Sequence, residues 1–365
     1  MSLVDQIAQR AREIRTDGYS MSIGEVLSLY RDGDIDIHPE FQRIFRWDDD
    51  QKSRLIESVL LGIPIPPIFV SQRADGVWDV IDGVQRLSTI LQFAGEYKNE
   101  SDMPQPELVL RGGEYLTELD GYVYSKPSEP GTTAFNEALR RDFKRAKLDF
   151  RIITKESDPN AKYDLFQRLN SGSVLSPQEA RNCLMVMIDR SFYQRVVELS
   201  QNANFQASVL LSDRQEEQAY REELVLRFFC QVDLTGGPTE LKKEYGEYLT
   251  GWMRNAADPE STYSLDTATF NETFELLNRA LGEDTFRRHE NGRHLGPFSI
   301  SSYEFVTSGV ASNLDRWRTR PSTDLKSRVE SIWSADVFRS NSGTGVSPRR
   351  RVPRLMSESR KYFGE

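Results

Sequence analysis

The sequence predicts an α+β protein, in which a small α/β part is followed by a mostly helical part. Two short strand patterns, 68–72 and 77–81, are joined by turn residues and have helical patterns on both sides. From Ser176 to about residue 335 the apolar residues recur only at helical spacing. We therefore predict an N-terminal domain over 1–175, a helical domain over 176–340 and a basic C-terminal tail over 341–365.

The elements of the N-terminal part follow from caps, turns and apolar spacing. Ser22 with Glu25 three residues later has the pattern of a capping box, and Gly33 and Gly62 are typical of positions just beyond a helix. The predicted helices are 2–15, Ser22–Asp32, Asp48–Leu61, a helix through Leu87 and Phe93, and Ala134–Arg145. The predicted strands are a short one at Ile35 and Ile37, 68–72, 77–81 and Leu148–Thr154.

Two further regions differ in their pattern. Between Lys98 and Gly131 the periodicity is lost, which predicts an insertion or a long, partly ordered connection with weak strands near Leu108 and Tyr122. Ser176, followed by Pro177 and by Glu179, is a strong helix start. The predicted later helices are 159–169, 177–189, 191–201, 213–231, 238–256, 267–283, 300–313 and 323–333.

Composition excludes several classes of protein. Charged residues make up 28% of the chain and the hydrophobic class 38%, which excludes disordered and collagen-like chains. The longest mostly apolar stretch, Val59–Val70, has 12 residues with three prolines and is too short to span a bilayer. Two cysteines cannot form a disulfide framework, and the N-terminus lacks a signal-peptide pattern. We therefore expect a cytoplasmic protein without a membrane partner.

Metal and Walker-type phosphate sites are not predicted. The chain has three histidines, of which His289 and His294 stand five residues apart, one more than the HExxH pattern of zinc proteases requires. The intervening Asn291-Gly292 favours a turn. No Gly-Lys dipeptide occurs, so the sequence has no Walker A loop. Asp233 followed by Glu240-Leu241-Lys242 matches an acid and an ExK triplet, but such triplets arise by chance in charged helices.

Charge is distributed unevenly along the chain. The formal net charge is −9, yet the segment from Asp315 onward holds 12 basic and 6 acidic residues. Basic side chains near the C-terminus can neutralise phosphates without reading sequence. The predicted DNA contacts are Arg349, Arg350, Arg351 and Arg354. A solvated basic tail that balances an acidic body is the alternative.

The most informative motif is Asp82-Gly83-Val84-Gln85-Arg86, between a strand and a helix. Gly83 allows a sharp turn, and the free N–H groups of the following helix favour an anion. Arg86 can hold a phosphate, Gln85 can orient a water, and Asp82 can accept a proton or bind a divalent cation. The alternative is structural: Asp82 is a cap, Gly83 a turn and Arg86 a surface cation.

Two other segments alternate polar and apolar residues and are candidates for the same pocket. In the first, PEFQRIFRW, the polar side chains Gln42, Arg43 and Arg46 precede a helix. In the second, FQRLNSGS, Asn170 ends a helical pattern, and Glu179 and Arg181 follow in SPQEARN. The alternative for both is a structural role, with the aromatic residues of the first segment in the core and a well-capped helix after the second.

Taken together and in this order, the segments IHPEFQRIFRW, KSRLIESVLLGIPIPPIFV, WDVIDGVQRLSTILQF and FQRLNSGSVLSPQEARN resemble the GmrSD N-terminal-domain family. The resemblance is strong over about 20–190. It implies a ParB- and sulfiredoxin-like N-terminal fold, a role in antiphage restriction systems, and binding and hydrolysis of a nucleoside triphosphate (GTP, or CTP and UTP) with Mg²⁺. Family members usually carry DGQQR, so Val84 replaces the first Gln, which puts hydrolysis in question.

The leading hypothesis is therefore a nucleoside-triphosphate hydrolase of phage defence with DNA as effector or target. The candidate catalytic residues are Asp82, Gln85 and Arg86, and the candidate nucleotide-binding residues are Gly83, Gln42, Arg43, Arg46 and Asn170. DNA cutting, if any, would come from a nuclease partner subunit or from an unrecognised site, since no His-rich nuclease centre is evident. A non-enzymatic DNA-binding adaptor and a stand-alone ParB-like nuclease are the alternatives. The sequence leaves a homo-oligomer open.

Overall fold

The computed structural model describes most of the chain. The described residues are 2–3, 16–37, 47–99, 103–127, 130–155, 157, 176–234, 240–342 and 347–365. Most of the predicted helix 2–15, the segment 38–46, the predicted helix 159–169 and Asn170 lie outside these ranges. The chain divides into two compact units, residues 1–174 and 175–365. None of the described helices is both long and apolar enough to cross a membrane.

The first unit contains a mixed sheet, which together with its helices and the helical second unit confirms the predicted α+β class. Its strands are β1 (Thr16–Ser22), β2 (Ile35–Asp36), β3 (Ile68–Gln72), β4 (Trp78–Asp82), β5 (Tyr122–Val123), β6 (Thr133–Ala134) and β7 (Lys147–Ile153). Five of them lie side by side in the order β1, β7, β3, β4, β2, while β5 and β6 form a separate parallel pair. Strand β3 is antiparallel to β4 and parallel to β7.

The described helices of the first unit follow the predictions, except that the predicted helix Ala134–Arg145 begins only at Glu137, because Ala134 belongs to β6 and Asn136 is the N-cap. They are α1 (Ile23–Asp32), α2 (Asp49–Leu61), α3 (Val84–Phe93) and α4 (Glu137–Arg145). The Ser22 side chain accepts a hydrogen bond from Glu25 N, and Asp48 and Gln51 form a capping box at α2. Gly33 and Gly62 end α1 and α2 with positive φ angles of 80° and 69°.

The region between Lys98 and Gly131 is better integrated than the sequence suggests, since its described residues contribute to the core. Tyr124 lies edge-on to Phe93 of α3, with ring centroids 5.6 Å apart. The buried Glu57 carboxylate on α2 accepts hydrogen bonds from the backbone N–H groups of Tyr115 and Leu116 at 2.8 and 2.6 Å. Hydrogen bonds from its backbone to one buried carboxylate thus hold this irregular segment in place. The spacing of apolar residues in the sequence does not reveal such bonds.

Regular structure among the described residues of the second unit is helical, apart from one hairpin. Its helices are α5 (Pro177–Ile188), α6 (Arg190–Ser200), α7 (Ala203–Ser208), α8 (Asp213–Glu217), α9 (Tyr220–Leu234), α10 (Tyr245–Ala257), α11 (Thr267–Leu281), α12 (Ile300–Ala311), α13 (Leu314–Arg318), α14 (Ser322–Ser331), α15 (Asp336–Ser342) and α16 (Pro348–Gly364). The hairpin strands are β8 (Arg288–Glu290) and β9 (Arg293–Leu295). The predicted helix 213–231 is two helices, because Ala219 between them has a φ of 56°.

The C-terminal segment is a helix of the second unit, where the sequence predicted a basic tail. Helix α16 buries Val352, Leu355, Met356 and Phe363. It lies very close to α12, since a Cβ on Gly309 would come within 2.2 Å of the Phe363 ring. The apolar residues of α16 recur at helical spacing, but the many arginines between them led to the prediction of a basic tail.

Buried ion pairs join four helices of the second unit. Glu304 of α12 is fully buried and accepts hydrogen bonds from Arg227 of α9 at 3.0 Å and from Arg351 of α16 at 3.2 and 3.3 Å. Arg227 also pairs with Glu223 at 2.7 Å, and Glu223 in turn pairs with Arg181 of α5. Burial raises the pKa of Glu223, but the attraction of Arg227 and Arg181 outweighs it and holds this pKa below its usual value.

We expect Glu304→Gln to destabilise the second unit strongly, because Arg351 would lose its carboxylate partner and Arg227 would keep only Glu223. Loss of one partner of a buried pair costs about 3–5 kcal/mol. Urea unfolding followed by circular dichroism measures the change, with the exposed Glu283→Gln as control. Equal unfolding midpoints for the two variants would show that the buried ion pairs do not contribute this stability.

Candidate functional site

The DGVQR motif forms a tight turn between strand β4 and helix α3. Asp82 is the last residue of β4, and Gly83 is the N-cap of α3 with a φ of 100°. A positive φ of this size favours glycine, because an L side chain would be strained there. No side chain caps the helix, so its first turn presents backbone N–H groups and the positive end of the helix dipole.

The Arg86 guanidinium holds this turn together. Its Nη2 donates a 2.6 Å hydrogen bond to Asp82 Oδ2, and its Nη1 donates to the backbone oxygens of Pro66 and Pro67. The prolines lie beside the turn because β3 and β4 are antiparallel, with Phe69 opposite Asp82. The Arg86 side chain is only 12% exposed.

This arrangement differs from the free, phosphate-binding Arg86 that the sequence predicted. The guanidinium satisfies two carbonyls that precede β3 as well as the Asp82 carboxylate four residues earlier. The inner side of the turn is also filled, since a Cβ on Gly83 would lie 2.4 Å from Ile68 Cδ1. In this state Arg86 positions the turn, and an anion that binds it must compete with Asp82.

Gln85 connects the turn to the segment that precedes α2. Its side-chain oxygen accepts a hydrogen bond from Trp47 N at 3.2 Å, and its backbone oxygen accepts one from Thr89 Oγ1 at 2.7 Å. Trp47 is the last residue of PEFQRIFRW, so two motifs that are 38 positions apart meet at the start of α3. Val84, at the position where the resemblance implies Gln, is buried in the core.

The remaining predicted nucleotide-binding residues are not all placed. Gln42, Arg43, Arg46 and Asn170 lie outside the described residues, so their proximity to the turn stays a prediction. Glu179 forms the capping box of α5 with Ser176, and Arg181 belongs to the buried ion pairs of the second unit. Both side chains therefore have structural partners.

The four predicted DNA-binding arginines lie on α16 and do not share one face. Arg351 is committed to the buried Glu304, and Arg349 donates to Leu241 O at 2.6 Å and pairs with Glu240 at 3.2 Å. Arg350 and Arg354 are exposed. Lys361 is exposed on the same face, because positions 350, 354 and 361 repeat at helical spacing.

The nuclease-like pattern around Asp233 does not present free carboxylates. Asp233 accepts a hydrogen bond from Trp252 Nε1 at 2.7 Å, and Glu240 pairs with both Arg349 and Arg350. These partners give both acids structural roles. What sequence reasoning missed at the DGVQR turn is the contribution of Pro66 and Pro67, for which the only signal was the run of prolines just before a strand.

We expect Gly83→Ala to destabilise the first unit more than Gly76→Ala does. Both glycines have similar φ angles, 100° and 97°, so each alanine costs about 1–2 kcal/mol of backbone strain. Only at Gly83 does the new Cβ meet a buried neighbour, Ile68, which adds about 1–3 kcal/mol of overpacking. Thermal unfolding of both variants measures the difference, and equal melting temperatures would contradict the packed turn.

One known family matches the segment that contains the DGVQR turn. Residues 23–186 match the family model described as GmrSD restriction endonuclease, N-terminal domain. No curated protein and no solved structure matches the chain. The match spans strands β2 to β7, the DGVQR turn and most of α5. Residues 23–186 of this chain are therefore assigned to the GmrSD N-terminal-domain family.

Proposed function

We propose that this protein acts in restriction-type phage defence by binding and hydrolysing a nucleoside triphosphate at the N-terminus of α3, with DNA as effector. The observation that carries the proposal is the hydrogen bond from Trp47 N to Gln85 Oε1. It brings the end of PEFQRIFRW to the DGVQR turn. Gln42, Arg43 and Arg46 in that segment would then supply cations and polar groups for the phosphates.

The start of α3 has the properties that a phosphate site needs. No side chain caps the first-turn amides of α3, which can therefore donate to a phosphate. The helix dipole adds a favourable interaction with negative charge. These features support binding of a polyphosphate, and they do not select among GTP, CTP, UTP and ATP.

The ion pair between Arg86 and Asp82 suggests how binding leads to hydrolysis. A phosphate group and the Asp82 carboxylate are both anions that compete for one guanidinium, now 2.6 Å from Asp82. When Arg86 turns to the phosphate, the carboxylate is released to accept a proton from water or to bind Mg²⁺ through oxygen. Gln85 would orient the water, a role for which Val84 offers no polar group.

This mechanism predicts different effects for substitutions of the two members of the ion pair. We expect Asp82→Asn to keep nucleotide binding and to lower phosphate release about 100-fold, because the general base is lost. We expect Arg86→Ala to weaken binding about 10-fold, because a charge-assisted hydrogen bond is lost. Calorimetric binding and phosphate release, each with four nucleotides and with or without DNA, measure these effects.

Two controls separate a site effect from a folding effect. Arg54→Ala removes an exposed arginine on α2, and Gln194→Ala removes an exposed glutamine in the second unit. Both should bind and hydrolyse nucleotide like the unmodified chain. If none of GTP, CTP, UTP and ATP binds at millimolar concentration, with or without DNA, the proposal is wrong.

A DNA-binding adaptor is the second candidate, and the exposed basic face of α16 favours it. This face contains Arg350, Arg354 and Lys361, of which Arg350 also pairs with Glu240 at 3.4 Å. Each basic residue that contacts a phosphate releases counterions, which makes binding weaken as salt rises. DNA bound here would serve equally as the effector of the nucleotide site.

We expect the double variant Arg350→Gln/Arg354→Gln to bind duplex DNA more weakly and with a shallower salt dependence. The slope of log affinity against log salt should fall by about 1 for each lost phosphate contact. Fluorescence anisotropy over a salt series measures it. The exposed Arg214→Gln on α8 is the matched control, and an unchanged slope in the double variant would exclude this face as the DNA contact.

A further inference from the structure

The hairpin of the second unit brings the only two histidines of that unit side by side. Asn291 and Gly292 form its turn, with φ angles of 51° and 72°, and they fix the register in which His289 pairs with His294. The two rings have centroids 4.9 Å apart. A spacing of five residues does not place two side chains on one helix face. Across a two-residue hairpin loop, the same spacing places them opposite each other as a cross-strand pair.

A carboxylate from a different element completes the group. Glu330, in the last turn of α14, places Oε1 at 3.2 Å from His294 Nε2 and at 4.0 Å from His289 Nε2. One ligand atom from each of the three residues lies within 4.8 Å of the others. The side chains are 22%, 14% and 21% exposed for His289, His294 and Glu330. All three side chains are therefore mostly buried but still reached by solvent.

We propose that His289, His294 and Glu330 bind a divalent transition-metal ion of the zinc type. Two imidazoles and one carboxylate are ligands that Zn²⁺ accepts in sites that keep a further position for water. Metal–ligand bonds of 2.0–2.1 Å in a tetrahedron place ligand atoms about 3.3 Å apart. The 3.2 Å contact already meets this distance, and the 4.0 Å contact needs a shift of less than 1 Å.

The ion would clamp the hairpin to α14. Lys326 now stands 3.9 Å from Glu330 Oε1 on the same helix, but it is half exposed, so a metal ion can take its place. The Nδ1 atom of His294 is buried and has no hydrogen-bond partner among the described residues. Metal-binding histidines usually donate this N–H to an acceptor. Because the described residues provide no such acceptor for His294, we expect an affinity 10- to 100-fold below that of fully supported zinc sites.

Cobalt titration of the purified full-length chain, freed of metal with a chelator, tests the proposal. Co²⁺ in a four-coordinate site of imidazole, carboxylate and water absorbs visible light much more strongly, and at longer wavelength, than octahedral Co²⁺ in water. Cys183 and Cys230 are buried, so thiolates do not compete for the ion. We expect saturation at one equivalent, displacement by Zn²⁺, and a rise in melting temperature of about 5 °C with saturating Zn²⁺.

Variants locate the ion. His289→Ala, His294→Ala and Glu330→Gln should each weaken Co²⁺ binding at least 10-fold, whereas Glu290→Gln on the same hairpin should not. Circular dichroism checks that each variant is folded. If a histidine variant is unfolded, the Co²⁺ affinity of Glu330→Gln tests the site instead. Absence of saturable binding in the unmodified chain, or binding that survives in the double variant His289→Ala/His294→Ala, would overturn the proposal.

Discussion

A fully buried carboxylate needs cationic partners, and this constraint organises the second unit around Glu304. Arg227 and Arg351 reach it from α9 and α16, and Glu223 extends the chain of charges to Arg181 on α5. Removal of charges from water is costly unless each one is paired, so four helices must meet in one arrangement. The GmrSD match ends at residue 186, within α5, and the second compact unit begins at residue 175. The last helix of the matched segment therefore folds with residues beyond it.

The DGVQR turn follows the same logic on a smaller scale. Arg86 donates hydrogen bonds to Asp82 and to the two carbonyls that precede β3, and Ile68 fills the space beneath Gly83. Such a turn is organised before any ligand arrives, which lowers the ordering cost of binding. The same contacts oblige an incoming phosphate to displace a carboxylate. Burial of Val84 shows that this chain uses one position of the motif for core packing.

The candidate sites of the two units depend on different kinds of geometry. At the DGVQR turn, a strand, a helix start and a distant segment converge through backbone groups, which suits the recognition of phosphate oxygens. At the hairpin, three side chains converge, which suits a metal ion. Each proposal rests on contacts within one unit, so either can fail without affecting the other.

The sequence by itself determined the local structure. Caps at Ser22, Asp48 and Ser176, and glycines at 33, 62 and 83, set element boundaries through short-range hydrogen bonds and allowed φ angles. The family resemblance was likewise contained in ordered motifs. Tertiary structure decided the partners of the charged and titratable side chains. Arg351 pairs with the buried Glu304, Arg86 pairs with Asp82, and His289 lies beside His294 and Glu330. These outcomes depend on partners far away in sequence, which periodicity along one segment cannot encode.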